Sequence, residues 1–520
     1  KINTHIEELK KKTLIGDFGR WQFRLGLLMA LLKLPIAWYQ LNIIFMAPPQ
    51  NFWCVKPAYL TGFSENEWRD ICAPMIEEHP CLVYDPEFLA VLPNMDRRYI
   101  PLVICKNFTY DKSIFNRTIT SDWDLVCSKH WLVHLTQCIM MWGVLVGGII
   151  FGIAADKYGR RIPLIIGIVT QSICSFIITF TQQYWWFLLI WFILALASGG
   201  IGIISFVICM EVVSGKYRTT IPVLYQLPFG LGTAVMAGLA YWLRDWRKLQ
   251  LALASLSGLY SFYWLVIPES PRWLLATGQM DKAIEVLHSA AKFNKRKFHT
   301  KDVKLLVCEA EQNVTRKSPA FSMLFRSKNM RMKTMLLSVN WFCTGISFYT
   351  FSQYVGSIGG NIFLAVAVTG IISTFGGVLC VIIITRVDRK TTVWIFQAIT
   401  AICFVLLLVI PRDMVANDWP RLLCAGIGFG GMAGSIPALY LYSGELFPTL
   451  GRNVGISGVT MFARVASMMA PAVVSSETII VDLPIIIMVI ISFAQMFLLL
   501  PLPETKGIPL PDTLEQAERI

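Results

Sequence analysis

Three short passages of this chain recur further along it at a nearly constant distance, and each closes a long apolar stretch. Asp156-Lys157-Tyr158-Gly159-Arg160-Arg161 returns in worn form as Arg386-Val387-Asp388-Arg389-Lys390, an offset of 229 counted from Arg160 to Arg389. Glu211 stands seven residues before Arg218, and Glu445 seven before Arg452, an offset of 234. Pro268-Glu269-Ser270 is answered by Pro503-Glu504-Thr505, an offset of 235. A steady offset marks an internal duplication. The repeated unit holds six apolar runs, so the chain reads as two parallel copies of one six-helix plan.

The runs are long enough to cross a bilayer, which takes about 20 residues. They fall at 23–47, 131–155, 162–181, 185–210, 222–242 and 247–267, then at 333–355, 361–385, 392–410, 421–443, 452–474 and 483–502. Only 15% of the residues are charged and 55% are hydrophobic, whereas a soluble domain carries about 25% charge. The expectation is an all-α membrane protein of 12 transmembrane helices in two halves, 23–267 and 333–502. A segment 1–22 precedes them, a linker 268–332 joins them and a tail 503–520 follows. No cleavable signal peptide is expected, because the first run is too long and follows a basic amphipathic stretch.

A net charge of +13 invites a nucleic-acid reading, but its distribution argues for topology. Segment 268–333 carries fourteen Lys/Arg against six Asp/Glu, while 48–130 carries eight against eleven. Basic clusters at 10–12, 156–161, 216–218 and 386–390 fall on the linker's side. By the positive-inside rule both termini and the linker are cytosolic, in a plasma membrane, and no nucleic-acid partner is expected. The linker shows helical patterns near 279–293 and 301–313, read as a brace between the halves.

Residues 48–130 then form a large extracellular loop between the first two spans. It holds Cys54, Cys72, Cys81, Cys105 and Cys127, which on that side read as disulfide candidates. Five cysteines suggest two bridges and one free thiol, with the pairing open. Asn107 and Asn116 begin glycosylation sequons in the same loop, whereas the sequon at Asn313 lies on the cytosolic side and should stay bare.

Asp156, Arg160 and Arg161 lie at the inner end of span two, with Arg389 at the matching turn of the second half. Glu211 and Glu445 end spans four and ten on that side, and Arg218 and Arg452 open the spans that follow. Arginines can dock on carboxylates and helix C-termini. The duplicated set therefore reads as a cytosolic gate that joins the halves in one state and parts in another.

These motifs resemble the major facilitator superfamily, and a closer resemblance spans nearly all of the chain. Ala47-Pro48-Pro49 precedes Cys54, and Ser121-Asp122-Trp123-Asp124-Leu125-Val126-Cys127 closes the loop. Pro268-Glu269-Ser270-Pro271-Arg272-Trp273, Gly444-Glu445-Leu446-Phe447-Pro448-Thr449 and the tail from Leu502-Pro503-Glu504-Thr505 to Leu514 complete the set. Together they resemble the organic cation/anion/zwitterion transporter family of solute carriers. The resemblance implies a polyspecific carrier of small organic ions and no enzyme.

The family spans three charge classes, so the choice rests on residues. A charge within a span costs roughly 2.5–3.5 kcal/mol on insertion scales and usually has a function. No Asp or Glu falls inside a span, but Lys33 and Arg464 do. Arg464 shares a helical stripe with Ser457, Thr460 and Ser467, and Lys33 shares a face with Ala37 and Gln40. The resemblance places Arg464 where the cation branch has an Asp. A Lys common in the anion branch would fall near Gly377 and is absent. One guanidinium facing a carboxylate, with aromatics around an ammonium, suits a zwitterion. Trp341, Phe348, Tyr349 and Ser352 of span seven, and Tyr225 and Phe229 of span five, are the candidate wall. The leading substrate is a carnitine-like or amino-acid-derived metabolite or another carboxylate-bearing organic ion, and the alternative is an organic amine held by aromatics. No phosphate loop, metal-ligand cluster or nucleophile elbow is seen, so no cofactor is expected. Gradients would drive transport, sodium coupling stays open, and a monomer in lipid is expected.

Overall fold

The computed structural model describes residues 18–57, 64, 67–70, 81–91, 100–213, 217–296, 324–325, 327–358, 360–412, 418–448, 452–506 and 518. Cys72, Asn313 and the stretch 297–323 lie outside them, as do the side chains of Arg218 and Arg452.

The first half comprises α1 (Arg20–Met46), α2 (Trp131–Tyr158), α3 (Arg161–Ile178), α4 (Tyr184–Val212), α5 (Thr220–Leu243) and α6 (Trp246–Gly258). The second comprises α7 (Lys328–Tyr354), α8 (Ile362–Arg386), α9 (Arg389–Val409), α10 (Trp419–Leu446), α11 (Arg452–Ser467) and α12 (Leu483–Leu499). Nine described helical stretches are long and apolar enough to cross a membrane. The other three fall short for separate reasons. Helix α6 turns into a 3-10 segment, Leu259–Leu265, instead of staying α-helical to 267. Helix α12 has 17 residues. Helix α7 is long, but its buried residues include Thr334, Ser338, Asn340, Thr344, Ser347 and Thr350. Four of these have backbone or neighbouring-helix partners: Thr334 and Ser338 donate one turn back along α7, Thr344 Oγ1 donates to Asn340 O and accepts from Gln495 Nε2, and Asn340 Nδ2 donates to Gln495 O, whereas the Ser347 and Thr350 hydroxyls have no partner among the described residues.

Much of the outer surface is apolar, with Ile153, Phe180, Trp242, Phe375, Ile490 and Phe497 all more than half exposed. Water would not tolerate such a surface, and lipid requires it. The chain is a multi-pass membrane protein.

Glycines set how closely helices approach. A Cβ on Gly147 would collide with the Leu196 carbonyl of α4, and one on Gly376 with the Gly430 carbonyl of α10. Close backbone approach through small residues is how helices pack in lipid. The halves meet along two seams, α5 against α8 and α2 against α11. The duplication makes α2 equivalent to α8 and α5 to α11, so these are one contact used twice.

The excursion after α1 carries two short antiparallel pairs, β1 (Phe52–Cys54) with β4 (Phe108–Tyr110), and β2 (Leu82–Tyr84) with β3 (Leu102–Ile104). Its small core surrounds Trp68, whose indole donates to Cys54 O at 2.8 Å. Disulfides join Cys54 to Cys105 and Cys81 to Cys127, and Asn107 and Asn116 are exposed. Burial and the adjacent Asp124 carboxylate, which accepts its proton at 3.0 Å, hold the Tyr110 phenol well above its ordinary range.

The Asp-Trp-Asp passage fixes the excursion to the first half. Asp122 accepts from Trp246 Nε1 and Arg247 Nε, both at 3.0 Å, and from Arg117 Nε. Trp123 packs among Tyr184, Phe187 and Trp246 and donates to Gln182 O. Backbone bonds from Asn116 to Arg244 O and from Trp246 to Arg117 O complete the stitch.

Candidate functional site

A cavity of about 270 Å³ lies between the halves. Its wall runs from mid-helix toward the face of the Arg160 and Arg389 turns, reaching Val207 on α4 and Ile456 on α11. On the excursion side it is closed. There Phe363 of α8 packs on Phe45 of α1, Phe115 of the excursion and Tyr241 of α5, with ring centroids 5.7, 5.2 and 5.5 Å away.

Both in-span cations line this cavity, and among the described residues no acidic side chain does. Arg464 sits a turn before α11 ends at Ser467, whose hydroxyl donates back to the Arg464 carbonyl at 2.6 Å. Arg464 Nη1 donates to Tyr349 Oη at 2.7 Å, and Tyr349 Oη donates to Gln40 Oε1 at 2.9 Å. This relay crosses from the second half to the first. Lys33 lies just past a break in α1 at Leu32, its ammonium 4.6 Å from the centre of the Tyr225 ring.

Tyr225 is placed by another break. Pro222 and Pro228 deprive α5 of backbone donors, and the helix is interrupted between Leu224 and Leu227. The Tyr225 hydroxyl is then held by Ser205 Oγ at 2.6 Å and Gly202 O at 3.1 Å. Aromatic contacts across the halves pair Phe229 with Phe348 at 6.0 Å and Phe206 with Tyr440 at 5.7 Å. Trp341 packs on Tyr440 and its indole donates to Ser443 Oγ.

Of the residues expected at the site, Arg464, Lys33, Gln40, Tyr225, Phe229, Trp341, Phe348 and Tyr349 all border the cavity. Ser352 does not. It lies a turn further along α7, where α8 closes over it, and its hydroxyl is spent on Phe348 O at 2.6 Å. The sequence reading missed Phe206, Phe429 and Tyr440, aromatics within apolar spans that carry no distinguishing signal. It also missed Ser198, a fully buried hydroxyl on the cavity wall with no hydrogen-bond partner among the described residues. Gly377 borders the cavity too, so the position without a Lys is a wall position.

The duplicated motifs make duplicated contacts. In the first half Glu269 accepts the backbone N–H groups of Arg160 and Arg161 at 2.7 and 3.2 Å, Ser270 Oγ donates to Glu211 at 2.5 Å, and Arg160 bridges Glu211 at 3.2 Å and Asp156 at 3.0 Å. In the second, Glu504 accepts from Arg389 and Lys390 at 2.9 and 3.0 Å, Thr505 Oγ1 donates to Glu445 at 2.6 Å, and Arg389 bridges Glu445 at 3.5 Å. Gly159, at φ +96°, takes a conformation suited to glycine, and a Cβ there would also strike the Glu269 carboxylate. Among the described residues each cluster closes within its own half. Arg161 turns away to the Trp264 carbonyl.

Helical halves around a central, largely apolar cavity that holds two basic side chains define a membrane transporter of the major facilitator kind. The family described as sugar (and other) transporter matches residues 102–516. The xylose transporter XylE of E. coli, in its inward open conformation, has the same fold at a TM-score of 0.64 and 16% identity, covering 96% of this chain and 99% of that one. The chain is 30% identical to the organic cation transporter protein of Drosophila melanogaster, over 97% of this chain and 93% of that protein. It is 29% identical to solute carrier family 22 member 3 of Rattus norvegicus (97% and 94%) and 32% to member 6 of Pseudopleuronectes americanus (79% and 73%). The chain belongs to the organic cation/anion/zwitterion transporter family of solute carriers, within the major facilitator superfamily, and is a transporter, not an enzyme.

Proposed function

We propose that this chain is a plasma-membrane carrier of carboxylate-bearing zwitterions or organic anions, carnitine-like or amino-acid-derived, working by alternating access. The observation behind this reading is that the basic side chains on the cavity wall are Arg464 and Lys33, with no acidic one among the described residues to balance them. A substrate carboxylate balances that charge. Arg464 is oriented by Tyr349 through Nη1, and its Nη2 has no protein partner among the described residues. That leaves a strong donor for a charge-assisted bond. The Ser198 hydroxyl and the aromatic wall serve the remainder of the substrate, including an ammonium.

In this reading the twelve helices span the membrane, both termini and the linker are cytosolic, and the excursion 48–130 is extracellular with sugars on Asn107 and Asn116. The Arg160–Glu211 and Arg389–Glu445 clusters, joined by Arg218 and Arg452 as expected from the sequence, form the cytosolic gate. Each cluster is closed on itself while the cavity faces that side, and they meet when it closes. The carrier works as a monomer.

A second reading has a specific observation in its favour. The cavity wall is rich in aromatics, and relatives at 29–30% identity are named for organic cation transport or belong to the same solute carrier family. In that case an amine is held by the rings alone. Uptake of a matched zwitterion, anion and cation, with and without external sodium, separates the two. Preference for carboxylate bearers, lost in Arg464→Ala at unchanged surface expression, supports the first reading. Preference for the cation, unaffected by Arg464→Ala, sinks it.

A further inference from the structure

The excursion-side end of the α2–α11 seam carries three side chains from one stripe of α2, at i, i+4 and i+8: His130, His134 and Cys138. Cys138 Sγ donates to the Met468 carbonyl at 3.3 Å, which ties α2 to the bend after α11. His134 Nε2 lies 2.9 Å from Ser475 Oγ, at the end of the helix Ala470–Ser475 that extends α11. Ser475 Oγ donates its single proton to the Pro471 carbonyl at 2.8 Å. In the tautomer where it accepts from His134, that ring carries its proton on Nε2 and leaves its lone pair on Nδ1. His130, one turn earlier, is exposed, has helical backbone angles, and lies with its ring centroid 5.0 Å from that of His134, at 80° between planes.

We propose that His130 and His134 bind a divalent transition-metal ion such as Zn2+, and that Ser475, reaching across the seam from the other half, orients the second ligand. Two imidazoles at i, i+4 on one helix face make a recurrent zinc-binding pair. Zn–N bonds of about 2.0–2.1 Å in a tetrahedral arrangement set two coordinating imidazole centroids about 5 Å apart, which is the separation here. No group of three His, Cys, Asp or Glu among the described residues is arranged to hold a metal, so water completes the tetrahedron. A ligating histidine normally donates its other ring N–H to an oxygen that fixes its tautomer and orientation. Ser475 supplies that oxygen only while the seam is closed. The ion therefore binds more tightly to the closed-seam arrangement, and by linkage it stabilises that arrangement and slows the transport cycle.

The test is calorimetric titration of the purified full-length carrier with ZnCl2, with MgCl2 as the hard-ion control, alongside uptake in cells. One Zn2+ site per chain is expected, with no Mg2+ response. His130→Gln and His134→Gln each abolish it, and Ser475→Ala, which keeps both imidazoles, weakens it by about tenfold, the lower end of the range for losing such a partner. Zn2+ added outside the cell lowers uptake in the wild type and not in His130→Gln. That variant sits on an exposed side chain, so it carries the test if His134→Gln folds poorly. Undiminished binding in His130→Gln overturns the site. Undiminished binding in Ser475→Ala overturns the link across the seam.

Discussion

The Arg464–Tyr349–Gln40 relay can be taken apart one atom at a time. Tyr349→Phe removes the hydroxyl and keeps the ring, which packs edge-on against Phe348 at 5.3 Å. Two bonds go: the one from Arg464 Nη1 at 2.7 Å and the one to Gln40 Oε1 at 2.9 Å. A hydrogen bond to a charged group contributes about 1.5–3 kcal/mol, and a neutral one about 0.5–1.5 kcal/mol. The cavity has room for several waters, at ~30 Å³ of liquid volume each, and water will reach the freed guanidinium. The lower end of the first range therefore applies. About 1.5 kcal/mol of lost orientation weakens carboxylate binding about tenfold. The lost Gln40 bond acts separately, because it joins the halves. Its removal shifts the balance of the two states for every substrate alike. Initial-rate uptake of a carboxylate substrate and a size-matched cation, normalised to surface-labelled protein, should show KM rising about tenfold for the first relative to the second. Gln40→Leu, which leaves Arg464 on Tyr349, should move both together. An equal shift for both substrates in Tyr349→Phe, or none, would refute Arg464 as the oriented anchor.

Other perturbations test the scaffold. Asp122→Ala strands Arg247 and the Trp246 indole in a largely buried site; breaking such a pair costs about 3–5 kcal/mol, tempered here by the half-exposed Arg117. The expected result is a lower melting midpoint in detergent with unchanged KM in the folded fraction. Gly345→Ala drives a methyl into the Ala463 carbonyl, an overpacking that costs about 1–3 kcal/mol. Because it pushes α11 outward beside Arg464, uptake should fall along with stability. Glu269→Gln and Glu504→Gln each remove a charged acceptor of backbone N–H groups, about 2 kcal/mol apiece. The two should lower the melting midpoint alike, since their contacts are duplicated, and a large inequality would break that equivalence.

The duplication was legible because its residues are charged, and charge stands out at the ends of apolar runs. The contacts behind it were not: nothing in Pro268-Glu269-Ser270 announces that Glu269 caps the Arg160 turn while Ser270 holds Glu211. Arg464 and Lys33 were legible for the same reason of contrast. Phe206, Phe429 and Tyr440 were not, since an aromatic among leucines looks like packing. Ser352, expected on the wall, lies beyond it, with its hydroxyl bonded to the Phe348 carbonyl of its own helix. The short strands of the excursion hold three residues each, too few to show an alternation. The Cys54–Cys105 bridge follows from that pairing, because β1 and β4 bring Cys54 close to the segment bearing Cys105.

The stitching of the excursion through Asp122 and Trp123 makes it a handle on the first half, and among the described residues Phe115 touches the second at Phe363. A binder raised against the excursion alone should ride with that half as a fiducial mark and leave turnover intact. One whose footprint also takes in the start of α8 beside Phe363 would act as a clamp, holding the carrier shut on that face.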